Sequence, residues 1–230
     1  MSGDYKPMMP ESVARKLIDL HLQTVAAARR AENVTVTRLG YTFVVPPAVF
    51  APSPFALAEL VQAEVRLNDR VLDMGTGSGI NGIVAAAVSS DVVAVDLSLD
   101  AVECASENAT RNNVADRVSV FQSDIFSAVS GRFNLIIFDP PFRWFKPTDG
   151  HETGMADENY EGLRRFFTQV DKFLFPDGRI LIAFSTIGDL EYLKFLIEQA
   201  DFSLTELRRI DNVVQGVEVS HFAYRLIRKS

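Results

Sequence analysis

Short apolar runs alternate with longer segments of helical periodicity along most of this chain. Continuous apolar runs predict buried strands, and we place five of them at residues 70–74, 92–96, 118–122, 134–138 and 179–184. Amphipathic periodicity predicts helices over residues 80–89, 99–112, 158–175 and 189–200. Strands that alternate with helices pair in parallel, so the pattern predicts an α/β fold.

Two more strands are predicted near the carboxyl terminus, at residues 203–210 and 218–227. A short polar link that contains Gly216 joins them. Such a short link favours an antiparallel hairpin, because a parallel return needs a crossover connection. We therefore expect a mostly parallel seven-stranded sheet with an antiparallel C-terminal hairpin.

The N-terminal part of the chain has its own pattern. Residues 34–45 alternate like two strands around Gly40, and a proline-rich segment follows at residues 46–54. Ser53 is placed to cap a helix over residues 55–66 whose first turn contains Pro54. Residues 11–30 predict an amphipathic helix with an apolar stripe of Val13, Leu17, Ile18, Leu20, Leu22 and Val25. We divide the chain into an N-terminal helix and hairpin extension, residues 1–53, and a main domain, residues 54–230.

Length, charge and cysteine content narrow the classes of protein. The 230 residues, 47% of them hydrophobic, suffice for one globular domain with a sizeable core. The formal net charge of −7 weakens the long-range attraction to the phosphates of a large nucleic acid. The single cysteine, Cys104, excludes an internal disulfide and a multi-cysteine metal site, and no metal is predicted. No signal peptide or bilayer-spanning run is visible, so we expect a cytoplasmic protein without a membrane partner.

A glycine-rich turn follows the strand at residues 70–74. Gly75, Gly77 and Gly79 occupy alternate positions there, and Asp73 stands two residues before the first of them. Ligands of open parallel sheets bind outside the carboxyl ends of the strands, and glycines let them approach the backbone closely. Residues 77–82 also satisfy the glycine pattern of dinucleotide-binding turns. That pattern fits less well, because its third glycine falls inside the predicted helix.

Acidic residues follow the next two strands as well. Asp96 ends the second strand and Asp124 follows the third, so both fall at the same sheet edge as the glycine turn. A carboxylate after the second strand can accept hydrogen bonds from both hydroxyls of a ribose, and one after the third can accept from an adenine amino group. Asp96 alone would also suit a nicotinamide cofactor, whereas Asp124 has no role in the usual binding of such a cofactor.

A proline-stiffened turn follows the fourth strand. Asp139, Pro140, Pro141 and Phe142 come directly after a buried apolar run. The prolines restrict the backbone and hold the Asp139 carboxylate at the mouth of the crevice. An acceptor fixed there can orient the NH₂ group of a conjugated nitrogen and stabilise positive charge as that nitrogen is alkylated. Phe142 can pack against a planar amide or base, or face a cationic amine.

These motifs resemble those of a known enzyme class. The glycine turn is similar to the first motif of class I methyltransferases, and the Asp-Pro-Pro-Phe turn resembles the fourth motif of amino-directed members. Residues 40–54 look like the entry segment of HemK/PrmC-like protein-glutamine methyltransferases, so the resemblance covers roughly residues 40–200. It implies a Rossmann-like class I methyltransferase fold and S-adenosylmethionine as cofactor.

The resemblance also implies roles for particular residues. The catalytic residues are expected to be Asp139, Pro140, Pro141 and Phe142. The expected cofactor-binding residues are Asp73, Gly75, Thr76, Gly77, Gly79, Asp96, Leu97, Asp124 and Ile125. The implied activity is N-methylation of an amide or aromatic amine nitrogen, in a protein glutamine or in a nucleobase of RNA or DNA.

Two departures from the family pattern widen the range of acceptors. The family motif normally begins with Asn and ends with Tyr, whereas Asp139 and Phe142, which stand here, are also found in nucleobase-amine methyltransferases. About thirty-two residues precede the hairpin, too few for the helical recognition domain of the release-factor enzymes. A small-molecule N-methyltransferase is therefore the alternative. A nicotinamide reductase and a catalytically silent binding module are the remaining hypotheses.

The loop at residues 143–157 is long for a compact domain and carries the only tryptophan. Trp144 and Phe145 in this loop, together with Phe50, are candidate substrate-binding residues. The loop contains basic residues, which suit a phosphate, and acidic residues, which suit a cation, so its charge leaves the acceptor open. The N-terminal helix is expected either to cap the substrate side of the crevice or to mediate oligomerisation.

Overall fold

The fold consists of a central sheet, flanking helices and an N-terminal helix and hairpin. The computed structural model describes residues 5–28, 31–52, 57–148 and 152–229. The helices and strands in chain order are α1 (Glu11–Ala28), β1 (Val34–Arg38), β2 (Tyr41–Val45), α2 (Ala58–Glu64), β3 (Arg70–Met74), α3 (Ile80–Ala85), β4 (Asp91–Asp96), α4 (Leu99–Arg111), β5 (Val118–Gln122), β6 (Phe133–Phe138), α5 (Glu161–Gln169), β7 (Leu174–Ser185), α6 (Leu190–Gln199), β8 (Phe202–Val214) and β9 (Val217–Arg228). Short 3₁₀ turns lie at Glu152–Gly154, Glu158–Tyr160 and Val170–Phe173.

The seven strands β3 to β9 form one sheet in the order β5-β4-β3-β6-β7-β9-β8. The first five pair in parallel, and β9 runs antiparallel to both β7 and β8. The order of the parallel strands is that of a Rossmann-like doubly wound sheet, in which β3 lies between β4 and β6. The predicted fold is therefore confirmed, including the antiparallel C-terminal hairpin.

The central strands are buried on both faces, as expected for parallel strands covered by helices. Successive residues of β3 point to opposite faces, so that Leu72 packs in one core and Val71 in the other. The first core contains Phe166 of α5 and Leu193 of α6. The second contains Ile83 of α3 and aliphatic residues of α4. The three layers place the carboxyl ends of β3, β4 and β6 side by side at one edge.

Several predicted boundaries were wrong, each for a local reason. Helix α3 ends at Ala85 rather than at residue 89, because the following turns tighten and the Ser89 hydroxyl donates to the carbonyl of Asp69 (2.7 Å). Helix α5 begins at Glu161 because Asn159 and Tyr160 adopt left-handed backbone angles. Strand β7 begins at Leu174, and a bulge opposite β6 accommodates the segment before residue 179.

The β1–β2 hairpin turns through Leu39 and Gly40, which both have positive φ values (51° and 82°), as a two-residue hairpin turn requires. The hairpin packs on α4, where the Asn108 amide accepts from Val44 N–H (2.9 Å) and donates to Val44 O (3.1 Å). The predicted cap at Ser53 and the following Pro54 lie outside the described residues. The division of the chain at residues 53 and 54 therefore stays a prediction.

Helix α1 packs on the domain with a narrower stripe than the sequence predicted. Leu17, Leu20 and Val25 are buried, whereas the flanking positions Val13, Ile18 and Leu22 are exposed (41%, 41% and 65%). The error arose because an apolar pattern does not reveal which edge of a wide stripe meets the domain. Within the described part of the chain, no helix is long and apolar enough to cross a membrane.

Candidate active site

The glycine turn connects β3 to α3 in a conformation that glycine favours. Gly77 and Gly79 have φ values of 54° and 84°, in the left-handed region. At Gly79 a Cβ atom would also approach the Cα of Ala105 to 3.2 Å, so the turn packs tightly on α4. A Cβ atom at Gly77 would meet no atom of the described residues within 4 Å, so the backbone there faces open space. One side of the turn is thus fixed by packing and the other is free for a ligand.

Asp73 stabilises this turn through hydrogen bonds. Its Oδ2 accepts hydrogen bonds from the Thr76 hydroxyl (2.6 Å) and from Gly82 N–H (2.9 Å). Its Oδ1 is buried and has no hydrogen-bond partner among the described residues. Burial raises the pKa of Asp73 to about 6. Asp73 does not line the open side of the turn, so its contacts organise the loop itself.

Asp96 joins the glycine turn to the end of β4. One carboxylate oxygen accepts from Gly77 N–H and the other from Ser98 N–H, each at 2.9 Å. Burial raises the pKa of Asp96, although these backbone hydrogen bonds act in the opposite direction. Each oxygen keeps a lone pair for a further donor. The neighbouring Leu97 is 57% exposed, which leaves an apolar side chain beside the carboxylate.

Asp124 and Ile125 form the next part of the rim, after β5. Asp124 makes a two-point ion pair with Arg165 of α5 (2.5 and 2.8 Å), which lowers the pKa of Asp124. Ile125 has a φ of 51°, an unfavourable conformation for a β-branched residue. The Ser123 hydroxyl holds this turn by donating to Ile125 O (2.7 Å). Backbone strain of this kind persists only where surrounding contacts maintain it, and it is common at binding sites.

A cavity of about 800 Å³ lies over this edge of the sheet. Most of the sequence-predicted site residues line it, namely Phe50, Gly75, Thr76, Gly77, Asp96, Leu97, Asp124, Ile125, Asp139, Pro140, Pro141 and Phe142. Asp73, Gly79, Trp144 and Phe145 are not part of the lining. The tertiary structure thus brings the turns after β3, β4, β5 and β6 together around one space.

Asp139 presents an unengaged carboxyl group to the cavity. No hydrogen bond to this carboxyl is formed by the described residues, and it is only partly exposed. Burial, and to a lesser extent the nearby charge of Asp73, raise the pKa of Asp139 to about 7. The group therefore changes its charge near neutral pH and is available to a bound molecule.

The turn that carries Asp139 is held in place by Tyr160. The Tyr160 hydroxyl donates to Phe142 O (2.6 Å) and accepts from Asp189 N–H (2.7 Å). A Cβ at Gly188 would overlap the same Phe142 carbonyl, so the chain approaches it closely. The sequence does not point to this residue, because nothing in the local pattern links Tyr160 to a carbonyl 18 positions away.

Trp144 and Phe145 pack beside the cavity and not along its wall. The Trp144 ring lies 5.9 Å from Tyr5 and 4.7 Å from Phe145, and Phe145 contacts His21 of α1 (4.9 Å). Their predicted contact with substrate stays a prediction. Thr24 of α1 does line the cavity, and its hydroxyl accepts a hydrogen bond from Arg143 Nη2 (2.9 Å). The sequence does not point to Thr24 either, because an amphipathic pattern alone does not distinguish it from other polar residues of the helix.

The fold and the cavity together define an α/β protein with a Rossmann-like doubly wound sheet and a cavity at the carboxyl ends of its strands, where proteins of this class bind their ligands. Comparison with known proteins supports this class and narrows it. The methyltransferase small domain model matches residues 40–202. The chain belongs to this methyltransferase family, and the prediction of a methyltransferase is confirmed.

Two curated relatives illustrate the similarity. A putative protein N5-glutamine methyltransferase from Methanocaldococcus jannaschii is 32% identical over 66% of this chain and 83% of its own length. The ribosomal protein uL3 glutamine methyltransferase of Francisella tularensis is 30% identical, again over 66% of this chain. The chain spans only 54% of that second protein, so about half of it has no counterpart here.

Solved structures show the same fold. A tRNA methyltransferase from M. jannaschii superposes with a TM-score of 0.62 at 19% identity, covering 87% of this chain and 59% of that protein. A T. thermophilus 16S rRNA N2 methyltransferase, solved with AdoMet and guanosine, has a TM-score of 0.62 at 21% identity. It covers 86% of this chain and 50% of its own. At these identities the likeness establishes the fold alone.

Proposed function

We propose that this methyltransferase transfers a methyl group from S-adenosylmethionine to an amide or aromatic amine nitrogen. The observation that carries the proposal is the Asp139 carboxyl, which lines the same cavity as the glycine turn and has no partner among the described residues. A conjugated NH₂ group needs an acceptor at this position, because accepting its protons orients the lone pair for attack.

The residues around the cavity fit this cofactor. The open face of Gly77 admits a ligand against the backbone, and the remaining lone pairs of Asp96 suit two ribose hydroxyls. Leu97 and Ile125 supply apolar sides for a planar base. Asp124 is already paired with Arg165, yet each of its oxygens retains a lone pair for an amino group. These assignments support S-adenosylmethionine as the methyl donor.

When bound, S-adenosylmethionine supplies an electrophilic methyl group and a neutral sulfur leaving group. Asp139 in its ionised form accepts hydrogen bonds from the acceptor NH₂ and stabilises the positive charge that develops on nitrogen. With a pKa of about 7, the same carboxyl can hold the proton that this nitrogen releases. Phe142 is held edge-on against Phe184 (5.5 Å), so its ring has a fixed orientation in the cavity wall.

The relatives favour a macromolecular acceptor. Two are named glutamine methyltransferases, which alkylate an amide nitrogen, and the rRNA enzyme modifies an N2 amino group. Both kinds of nitrogen are conjugated NH₂ groups, and both match a fixed acceptor such as Asp139. A protein glutamine or an RNA nucleobase is therefore the proposed acceptor.

A small amine metabolite is the second candidate, because Thr24 of α1 lines the cavity. Thr24 and Arg143 link α1 to the segment that follows the reaction-centre turn. A cavity that is covered on the acceptor side suits a small molecule or a single extended residue better than a folded partner. In this proposal α1 acts as a cap over the acceptor.

Labelling with radioactive S-adenosylmethionine tests the function directly. We would incubate the protein with labelled cofactor and separated protein, RNA and small-molecule fractions of a lysate. Transfer of label to one fraction identifies the class of acceptor. Asp139→Ala should bind the cofactor and transfer little label, whereas Asp100→Ala, which removes an exposed acid of α4, should behave like the wild type. Cofactor binding without transfer to any fraction would contradict the proposal.

A further inference from the structure

Arg143 is a charged residue in a place where charge is costly. It follows the reaction-centre turn directly, is only 6% exposed and lines the same cavity as Asp139. Burial lowers the pKa of Arg143 to about 10. The group still carries its proton at neutral pH, so the cavity wall contains a largely desolvated cation.

The protein uses little of the hydrogen-bonding capacity of this cation. Its only side-chain hydrogen bond within residues 5–28, 31–52, 57–148 and 152–229 goes from Nη2 to the Thr24 hydroxyl oxygen (2.9 Å). No described carboxylate forms an ion pair with it. Glu152, a buried acid of the same loop, accepts a hydrogen bond from Thr148 N–H (2.7 Å). A guanidinium has five donors, and most of these remain available.

A buried cation without an anionic partner is unusual, since buried charges in proteins are normally paired. The Thr24 hydroxyl does not neutralise it, because that hydroxyl is uncharged and itself donates to Leu20 O (2.7 Å). His21 on the same helix adds no negative charge; burial and, to a lesser extent, Arg143 lower the pKa of His21, and Glu152 acts in the opposite direction. The charge of Arg143 is therefore left for a bound molecule to balance.

The contacts of Arg143 place it on the side of the cavity where α1 lies. The Arg143 backbone is fixed by Asp157 N–H, which donates to its carbonyl (2.8 Å), and the guanidinium reaches across to α1. The charge that acts on Asp139 comes from Asp73, beneath the glycine turn, whereas Arg143 acts on His21. The glycine turn, Asp139 and Arg143 all line the same cavity, and Arg143 does so next to Thr24 of α1.

We propose that Arg143 binds an oxyanion of the methyl acceptor, a carboxylate or a phosphate group close to the nitrogen that faces Asp139. This inference rests on the proposed function and adds that the acceptor is anionic beside its methylated nitrogen. The planar guanidinium fork matches the paired oxygens of either group, and its burial strengthens the contact. Thr24 contacts the guanidinium from the α1 side through its hydroxyl oxygen.

Anion binding to the cofactor-loaded protein tests the proposal without a known acceptor. The protein is first saturated with S-adenosylhomocysteine, so that the carboxylate of the cofactor is already in place. Inorganic phosphate and acetate are then titrated separately, and their affinities are measured by calorimetry and by the shift in melting temperature. The variants are Arg143→Met, which keeps the length without the charge, and Arg143→Lys, which keeps the charge without the fork.

We expect the wild type to bind one of these anions, and the anion that binds more tightly identifies the chemistry of the acceptor. Arg143→Met should weaken that binding by about tenfold or more, as expected when a charge-assisted hydrogen bond is lost. Arg143→Lys should retain part of it. Lys194→Met, which removes an exposed cation of α6 paired with Glu191, should bind anions like the wild type. Arg143→Met should also be at least as stable as the wild type, because it removes an unpaired buried charge.

Equal anion affinity in the wild type and Arg143→Met would overturn the proposal, and so would an absence of anion binding by the wild type. Weaker binding of S-adenosylmethionine by Arg143→Met, with unchanged binding of 5′-methylthioadenosine, which lacks the carboxylate, would assign the cation to the cofactor instead. Loss of stability in Arg143→Met together with unchanged anion affinity would assign it to folding. Failure of the proposed function would give a different result, because the wild type would then fail to bind the cofactor or fail to transfer a methyl group.

Discussion

Replacement of Asp139 provides the most direct test of the reaction centre. In Asp139→Ala the NH₂ group of the methyl acceptor loses the carboxylate that accepts its hydrogen bonds. The glycine turn and Asp96 keep all of their own contacts. Removing one preorganised group at a reacting centre costs about 2.7–4 kcal/mol, or roughly a hundred- to a thousand-fold in turnover. Cofactor affinity, measured by calorimetry, should stay unchanged. Normal turnover of Asp139→Ala on the identified acceptor would refute the catalytic role.

The raised pKa of Asp139 adds a dependence on pH whose sign can be worked out. Only the ionised carboxylate accepts hydrogen bonds with both oxygens, so activity should rise with pH and level off above the pKa of about 7. At about pH 6 roughly one tenth of the groups are ionised, so turnover should be about tenfold below its plateau. The measurement is single-turnover methyl transfer at saturating cofactor between about pH 5.5 and 8.5.

Asp139→Asn separates ionisation from hydrogen bonding. The amide oxygen still accepts a hydrogen bond but does not titrate, so the step near pH 7 should disappear. A neutral amide or base should tolerate this change, whereas a cationic amine should react more slowly without the negative charge. Persistence of the same pH step in Asp139→Asn would show that another group titrates, and would refute the assignment to Asp139.

The same pKa makes a prediction about stability. The folded state keeps a proton on Asp139 up to about pH 7, whereas the unfolded chain releases it near the ordinary value of 3.8. The folded state therefore loses stability relative to the unfolded state as pH rises from about 4 to about 7. Asp139→Asn should resist urea better than the wild type at about pH 8 and should lose that advantage near pH 4. An advantage that does not depend on pH would contradict the raised pKa.

Four further substitutions test the residues that shape the site. Asp96→Ala should weaken cofactor binding in calorimetry, because two charge-assisted hydrogen bonds contribute roughly 1.5–3 kcal/mol each; unchanged affinity would remove Asp96 from the site. Gly79→Ala should lower the free energy of unfolding by more than Gly77→Ala does, since both incur the left-handed cost of about 1–2 kcal/mol but only Gly79 would contact Ala105. Tyr160→Phe leaves the buried Asp189 N–H and the partly buried Phe142 carbonyl without their partner and should lower kcat more than it raises KM; a change in KM alone would argue against a positioning role.

The sequence by itself was sufficient for the fold and for most of the residues around the cavity. Alternation of apolar runs with helical periodicity determines a parallel sheet, since few other arrangements bury such strands. In such a sheet, residues that directly follow the strands meet at one edge. The sequence alone therefore predicts that three carboxylates lie close together, those of Asp96, Asp124 and Asp139. Each of them comes at or just after the end of a strand, and the ends of neighbouring parallel strands are adjacent.

Only the tertiary structure decided what lies beside those residues. The hydrogen bonds from Tyr160 to the Phe142 carbonyl and from Arg143 to Thr24 join segments 18 and 119 positions apart. No periodic pattern encodes such contacts, because they depend on how helices and loops pack over the sheet. The same is true of ionisation: Asp124 and Asp139 look alike in sequence, yet a salt bridge lowers the pKa of one while burial raises that of the other. The pKa of each carboxyl depends on its burial and on its charged partners, and both exist only once the chain is folded.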